Sequence, residues 1–106
     1  MATIREITVD ELAAARANAN PPLLIDVRGH DEYATAHVPG AVNIPLDELP
    51  GRLVELHGNG PVAAICQSGR RSIEAARTLG TAGIDTVSVA GGTSAWAQSG
   101  RPTLTG

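Results

Sequence analysis

The stretch Ile65-Cys66-Gln67-Ser68-Gly69-Arg70-Arg71-Ser72 holds the only cysteine of the chain, followed by a glycine, two arginines and a hydroxyl residue. A thiol without a second cysteine cannot close an internal disulfide, so it is an inert core residue, a reactive group or a link to another chain. Its neighbours bear on the choice. Two guanidinium groups beside an inert core thiol have no packing purpose. Beside a reactive one they favour the thiolate over the neutral form. Gly69 allows backbone turns that other residues resist, as a tight ring of inward N–H groups requires. Ser72 is expected to cap a helix beginning at Ile73, whose positive end then adds to the cradle. Cys66 is therefore expected to be ionised and accessible at neutral pH. No histidine adjoins it, which points to chemistry starting from a ready-made thiolate.

Such a loop needs elements to hold it. Val62-Ala63-Ala64-Ile65 is a short apolar run entered from Gly58-Asn59-Gly60-Pro61 and ending at the cysteine, the pattern of a strand buried on both faces. Leu23-Leu24-Ile25-Asp26-Val27 and Thr86-Val87-Ser88-Val89 repeat the pattern, the latter closed by Gly91-Gly92. Helical segments alternate with them. Thr8-Val9-Asp10-Glu11 is a capping box opening a helix to about Ala17, which Asn20-Pro21-Pro22 ends. Leu49, Leu53 and Leu56 recur at helical spacing, with Pro50 in the first turn, and so do Ile73, Ala76 and Leu79, with Gly83 as terminator. The alternation predicts an α/β fold with a mostly parallel central sheet and helices on both faces. In such sheets, sites form beyond the carboxyl ends of the strands, where Cys66 lies.

The 106 residues suit one domain spanning 1–106. A content of 42% hydrophobic and 18% charged residues excludes a disordered chain, and the absence of Phe leaves a core of Val, Ile, Leu and Ala. The formal charge of −3, with no lysine, argues against nucleic acid as a partner. No apolar run approaches the roughly 20 residues of a membrane span, and a cytoplasmic location is expected. One cysteine and scattered histidines show no metal-ligand spacing, so neither metal nor other cofactor is expected.

Three ordered motifs resemble the rhodanese family of sulfurtransferases in its compact single-domain form. Asp26-Val27-Arg28, Asp31-Glu32-Tyr33 and His37-Val38-Pro39-Gly40-Ala41-Val42-Asn43-Ile44-Pro45 are similar to its N-terminal signature. Cys66 to Ser72 resembles its active loop. Val89-Ala90-Gly91-Gly92 with Ala95-Trp96 and Gly100-Arg101-Pro102 resembles its C-terminal signature. The resemblance implies a three-layer sandwich and a reaction in which Cys66 takes sulfur from a small anionic donor such as thiosulfate and passes it, as a persulfide, to a thiophilic acceptor such as cyanide or a thiol. Arg71, Gln67, Ser68, Gly69 and Arg70 become candidate donor contacts, with Arg71 drawing in the anion, Arg70 otherwise a solvated surface residue, and Arg28 in a weaker secondary role. A two-step transfer through a covalent intermediate implies ping-pong kinetics.

Cysteine phosphatases resemble this architecture but place arginine six positions after the thiol. That position is Ser72 here, and the shorter ring favours sulfur over phosphate. Ala36 and Gly29-His30 depart from the usual signature away from the thiol. Gln67 and Ser68 are uncharged where larger thiosulfate-preferring relatives carry basic residues, which leaves thiosulfate, 3-mercaptopyruvate and a protein persulfide open as donors. Asp26 reads as a structural brace, His37 as a turn partner, His30 and His57 as surface residues, Trp96 as a core anchor and Gly91-Gly92 as a tight turn. Two functions fit: a sulfurtransferase with small donors, or a relay module that docks on a protein acceptor. A silent binding module is disfavoured by the cysteine.

Overall fold

A computed structural model describes residues 3–106. Five strands, β1 (Glu6–Ile7), β2 (Leu23–Asp26), β3 (Val42–Asn43), β4 (Val62–Ile65) and β5 (Thr86–Val89), form one sheet in the order β1-β5-β4-β2-β3. Every pairing is parallel, so the sheet is wholly rather than mostly parallel. Among the described residues the one antiparallel contact is an isolated bridge between His37 and Leu104. Helices α1 (Val9–Arg16), α2 (His30–Thr35), α3 (Arg71–Thr81) and α4 (Gly92–Gln98) fill the connections, with a 3-10 segment at Leu49–Glu55.

Alternation along the strands explains why the apolar runs are continuous. In β2, Ile25 faces a core shared with Leu49, Leu56, Ala75 and Leu79. Its neighbour Leu24 faces a second core with Leu12, Val38, Val89 and Trp96. Successive side chains point to opposite faces. Both faces are covered, and the outcome is the expected three layers, with α3 and the 3-10 segment on one side and α1 and α4 on the other.

Local signals end the elements where they should. Thr8 Oγ1 accepts the Glu11 N–H at 3.0 Å while Glu11 accepts the Thr8 N–H at 2.8 Å, the reciprocal capping box. At the end of α3, Gly83 (φ +82°) lets its own N–H reach the Gly80 carbonyl and the Ile84 N–H reach that of Leu79, a Schellman closure. The helical spacing of Leu49 and Leu56 is realised less regularly than expected. Pro50 and Gly51 are poor helix formers, and the segment is a 3-10 helix broken at Arg52. Helix α3 starts at Arg71, two residues before the expected start, so Ser72 lies inside its first turn and caps nothing. Trp96 is buried as expected, and its Nε1 donates to the Pro102 carbonyl at 2.9 Å.

Candidate active site

Three strand ends meet at the cysteine. Asp26 ends β2 and Arg28 follows it, Cys66 follows β4, and Gly91-Gly92 follow β5, the three strands being neighbours in the sheet. The loop from Cys66 to Arg71 curls so that the Gly69 N–H donates to Cys66 Sγ at 3.1 Å. Gly69 has φ +105°, and a Cβ there would press on the Gly91 backbone nitrogen at 3.1 Å. Only glycine takes this turn without strain.

A chain of hydroxyls completes the sulfur's surroundings. Ser72 Oγ lies 3.5 Å from Sγ and 2.7 Å from Ser88 Oγ, and both serines are fully buried. When the sulfur is a thiolate, Ser72 donates to it and Ser88 donates to Ser72. Burial pushes the thiol pKa up. The Ser72 hydroxyl and the N–H groups of Ser72, Gly69 and Ser68 push it down and prevail, leaving Cys66 below an ordinary thiol. These donors, ahead of the arginines next to it in sequence, are the main cause of the lowering. The expected accessibility is corrected too: Cys66 is 1% exposed, because it closes the core face formed by Ile25, Val27 and Ala75.

Helix α4 holds the loop from behind. The Cys66 carbonyl accepts the Thr93 N–H at 2.8 Å and Thr93 Oγ1 at 3.1 Å, and the Gln67 carbonyl accepts the Ser94 N–H at 3.1 Å. With these carbonyls turned to α4, the N–H side of the loop is left for the sulfur. Gly92, at φ +59°, makes the approach possible, since a Cβ there would meet the Gln67 carbonyl group at 2.7 Å. Gly91-Gly92 is thus a docking point for the loop as well as a turn.

The remaining candidates divide by partner. Arg28 is buried and clasps Asp26, its Nη2 2.8 Å from Oδ2 and its Nε 3.0 Å from Oδ1. Its Nη1 donates to Gln67 Oε1 at 2.9 Å, and Gln67 Nε2 donates to Ser94 Oγ at 2.7 Å. Arg28 and Gln67 therefore tie the loop to β2 and α4. Arg71 forms a two-pronged ion pair with Glu32 of α2, at 2.7 and 2.8 Å. The two hydrogen bonds from Arg71 hold the Glu32 carboxyl at about 2. Ser68 and Arg70 are exposed, and Arg70 makes no ion pair among the described residues. His37 stacks on Tyr33 and bonds the Tyr33 carbonyl through Nδ1, the turn role expected of it. His30, exposed, bridges Asn43 and Glu48.

An open groove of about 470 Å³ runs beside the loop, with Arg28, Glu32, Gln67, Thr93 and Ser94 in its wall. Sequence reasoning missed Ser88, Glu32, Thr93 and Ser94. Ser88 carried a usable signal, a polar residue between Val87 and Val89 in a buried strand. Among the described residues no group of three or more His, Cys, Asp or Glu side chains could hold a metal ion, and no helix is long and apolar enough to cross a membrane.

Parallel strands, a tight thiol loop at the end of the middle strand and flanking helices define a class that comparison with known proteins identifies. The rhodanese-like domain matches residues 8–99, and the chain belongs to that family. A sulfurtransferase of Allochromatium vinosum is 33% identical over 100 residues, which cover 93% of this chain and 94% of that protein. The putative sulfur carrier protein YrkF of Bacillus subtilis is 52% identical over 56 residues, 53% of this chain but only 30% of that protein. The chain therefore spans under a third of this relative's length. Among solved structures, a thiosulfate sulfurtransferase of Pseudomonas aeruginosa superposes with a TM-score of 0.81 at 29% identity, covering 97% of this chain and 20% of that one.

Proposed function

We propose that the chain, as a single domain working in the cytoplasm, is a sulfurtransferase that carries sulfane sulfur on Cys66. The observation that carries this reading is the Cys66 sulfur, lowered in pKa by a ring of donors at the end of β4, in the segment that resembles the family's active loop. The Cys66 thiolate attacks the outer sulfur of thiosulfate or a similar donor. The donor's S–S bond breaks and sulfite leaves with its electron pair. The persulfide anion that remains is negatively charged, so the same N–H and O–H donors stabilise it. An acceptor nucleophile, cyanide or a thiolate, then attacks the outer sulfur, and the Cys66–S bond breaks to restore the thiolate. No proton has to be removed from Cys66, which accounts for the lack of a basic partner beside it. Gly69 and Ser68 act through the backbone, Gln67 and Arg28 hold the loop's shape, and the exposed Arg70 meets the incoming donor, with Arg71 paired to Glu32 at the loop's end.

Intact-mass measurement after exposure to thiosulfate tests this. One added sulfur, removable by a thiol and absent in Cys66→Ser, is expected. Equal sulfur uptake by the serine variant would overturn the proposal. The likeness to a putative sulfur carrier, together with the groove beside the loop, supports a second reading in which the acceptor is a protein. A persulfide that discharges onto a protein acceptor much faster than onto cyanide would favour it.

A further inference from the structure

Three arginines surround the loop, yet the structure neutralises two of them. Arg28 is engaged with Asp26 in the interior. Arg71, at the loop's end and first in α3, is held by both oxygens of Glu32. Asp47 and Arg71 line one shallow hollow, which brings a further negative charge near. Arg70 alone is exposed and without an ion pair among the described residues. A thiosulfate dianion therefore meets far less positive charge than the sequence advertises.

Glu32 is also fixed in place. Its Oε1 accepts the Gly29 N–H at 3.2 Å at the start of α2, so the carboxylate is anchored from its own helix as well as by Arg71. A charged pair braced from both sides does not swing away without losing charge-assisted hydrogen bonds on each.

We propose that Glu32 selects the sulfur donor by charge: in its two-pronged pairing with Arg71 it withdraws the cation that a dianion needs and favours donors of low charge, such as a persulfide carried on a thiol. This rests on the sulfurtransferase reading above and adds the class of donor to it. With such a donor, the Cys66 thiolate attacks the outer sulfur of R–S–SH and the R–S⁻ thiolate leaves, so the proton stays on the transferred sulfur and no oxidant is needed. Glu32 touches neither sulfur in this scheme. It is a positioning and selecting residue acting through Arg71.

The test compares second-order rates of Cys66 modification in wild type, Glu32→Gln, Arg71→Gln and the double variant. The Gln side chain keeps an acceptor for Arg71 and for the Gly29 N–H but removes the charge. Two reagents are used: thiosulfate, a dianion, and methyl methanethiosulfonate, which is neutral and transfers CH3S to the thiolate with release of methanesulfinate. Glu32→Gln is expected to raise the thiosulfate rate on the order of tenfold at low salt, because Arg71, no longer held by a charged partner, is then free to pair with the dianion. The gain should collapse near 1 M salt, where screening acts within about 3 Å. The neutral reagent should change less than about twofold, and the gain should vanish in the Arg71→Gln background. An unchanged or lower thiosulfate rate in Glu32→Gln, or an equal rise with both reagents, overturns charge selection. If thiosulfate adds no sulfur to wild type or Glu32→Gln while the neutral reagent labels both, thiosulfate uptake fails as well, an outcome distinct from loss of selectivity alone.

Discussion

At Cys66 two opposing influences act on one sulfur: burial favours the neutral thiol, and the Ser72 hydroxyl with three backbone N–H groups favours the anion. Because the donors prevail, the pH profile of iodoacetamide alkylation should have its midpoint below the ordinary thiol value of 9.0. Ser72→Ala should move that midpoint up, and Ser88→Ala should move it in the same direction by less, since Ser88 acts through Ser72. The Glu32 carboxyl offers a second pH test. Its pKa falls from 4.5 in the unfolded chain to about 2 in the fold, so its contribution to stability is fully present above 4.5 and is lost as pH falls through about 2. Side chains about 40% exposed limit this to roughly 0.2–1 kcal/mol. Acid unfolding of Glu32→Gln should lack that component of the slope. The cysteine, Gly69 and their adjacent arginines were legible in the sequence because they lie in one run. The partners that decide their charge were not: Ser88 is 16 residues from Ser72, and Glu32 is 39 from Arg71.

At the scale of elements, legibility followed length and punctuation. Strands β2, β4 and β5 have four residues each with apolar runs and flanking turn residues, and all were readable. Strands β1 and β3 have two residues each, too few for any period to show. Helix α2, six residues with none buried, has no apolar stripe to find. The two ends of the α1 and α3 system that were read correctly, the Thr8 box and the Gly83 stop, are local signals needing no tertiary partner. Thr8→Ala should lower stability by about 1 kcal/mol while leaving sulfur loading per folded molecule unchanged. Gly92→Ala makes the opposite demand. The left-handed backbone and the Gln67 contact at 2.7 Å should together cost about 2 kcal/mol or more and slow sulfur loading, because the carbonyls held by α4 would be pushed off their donors. Thermal unfolding and mass-monitored loading, measured on the same samples, separate the two outcomes.

At the scale of the molecule, the order β1-β5-β4-β2-β3 places the cysteine strand at the centre, with the strands that carry the glycine pair and the Asp26–Arg28 pair on either side. That pair lies under the loop, with exposures of 0% and 3%, and truncating one partner strands the other's charge in the interior. Asp26→Ala should therefore cost about 3–5 kcal/mol, read as a large loss of thermal stability. Fold class was the most legible property of all, since strand and helix alternation needs no knowledge of individual contacts. The near-complete enclosure of Cys66 carries a separate consequence. A sulfur with so little exposed surface is sieved by reagent bulk, independently of polarity: methyl-sized electrophiles should label it far faster than maleimides of matched intrinsic reactivity, and a stored outer sulfur should outlast one on a free thiol in the presence of bulky oxidants.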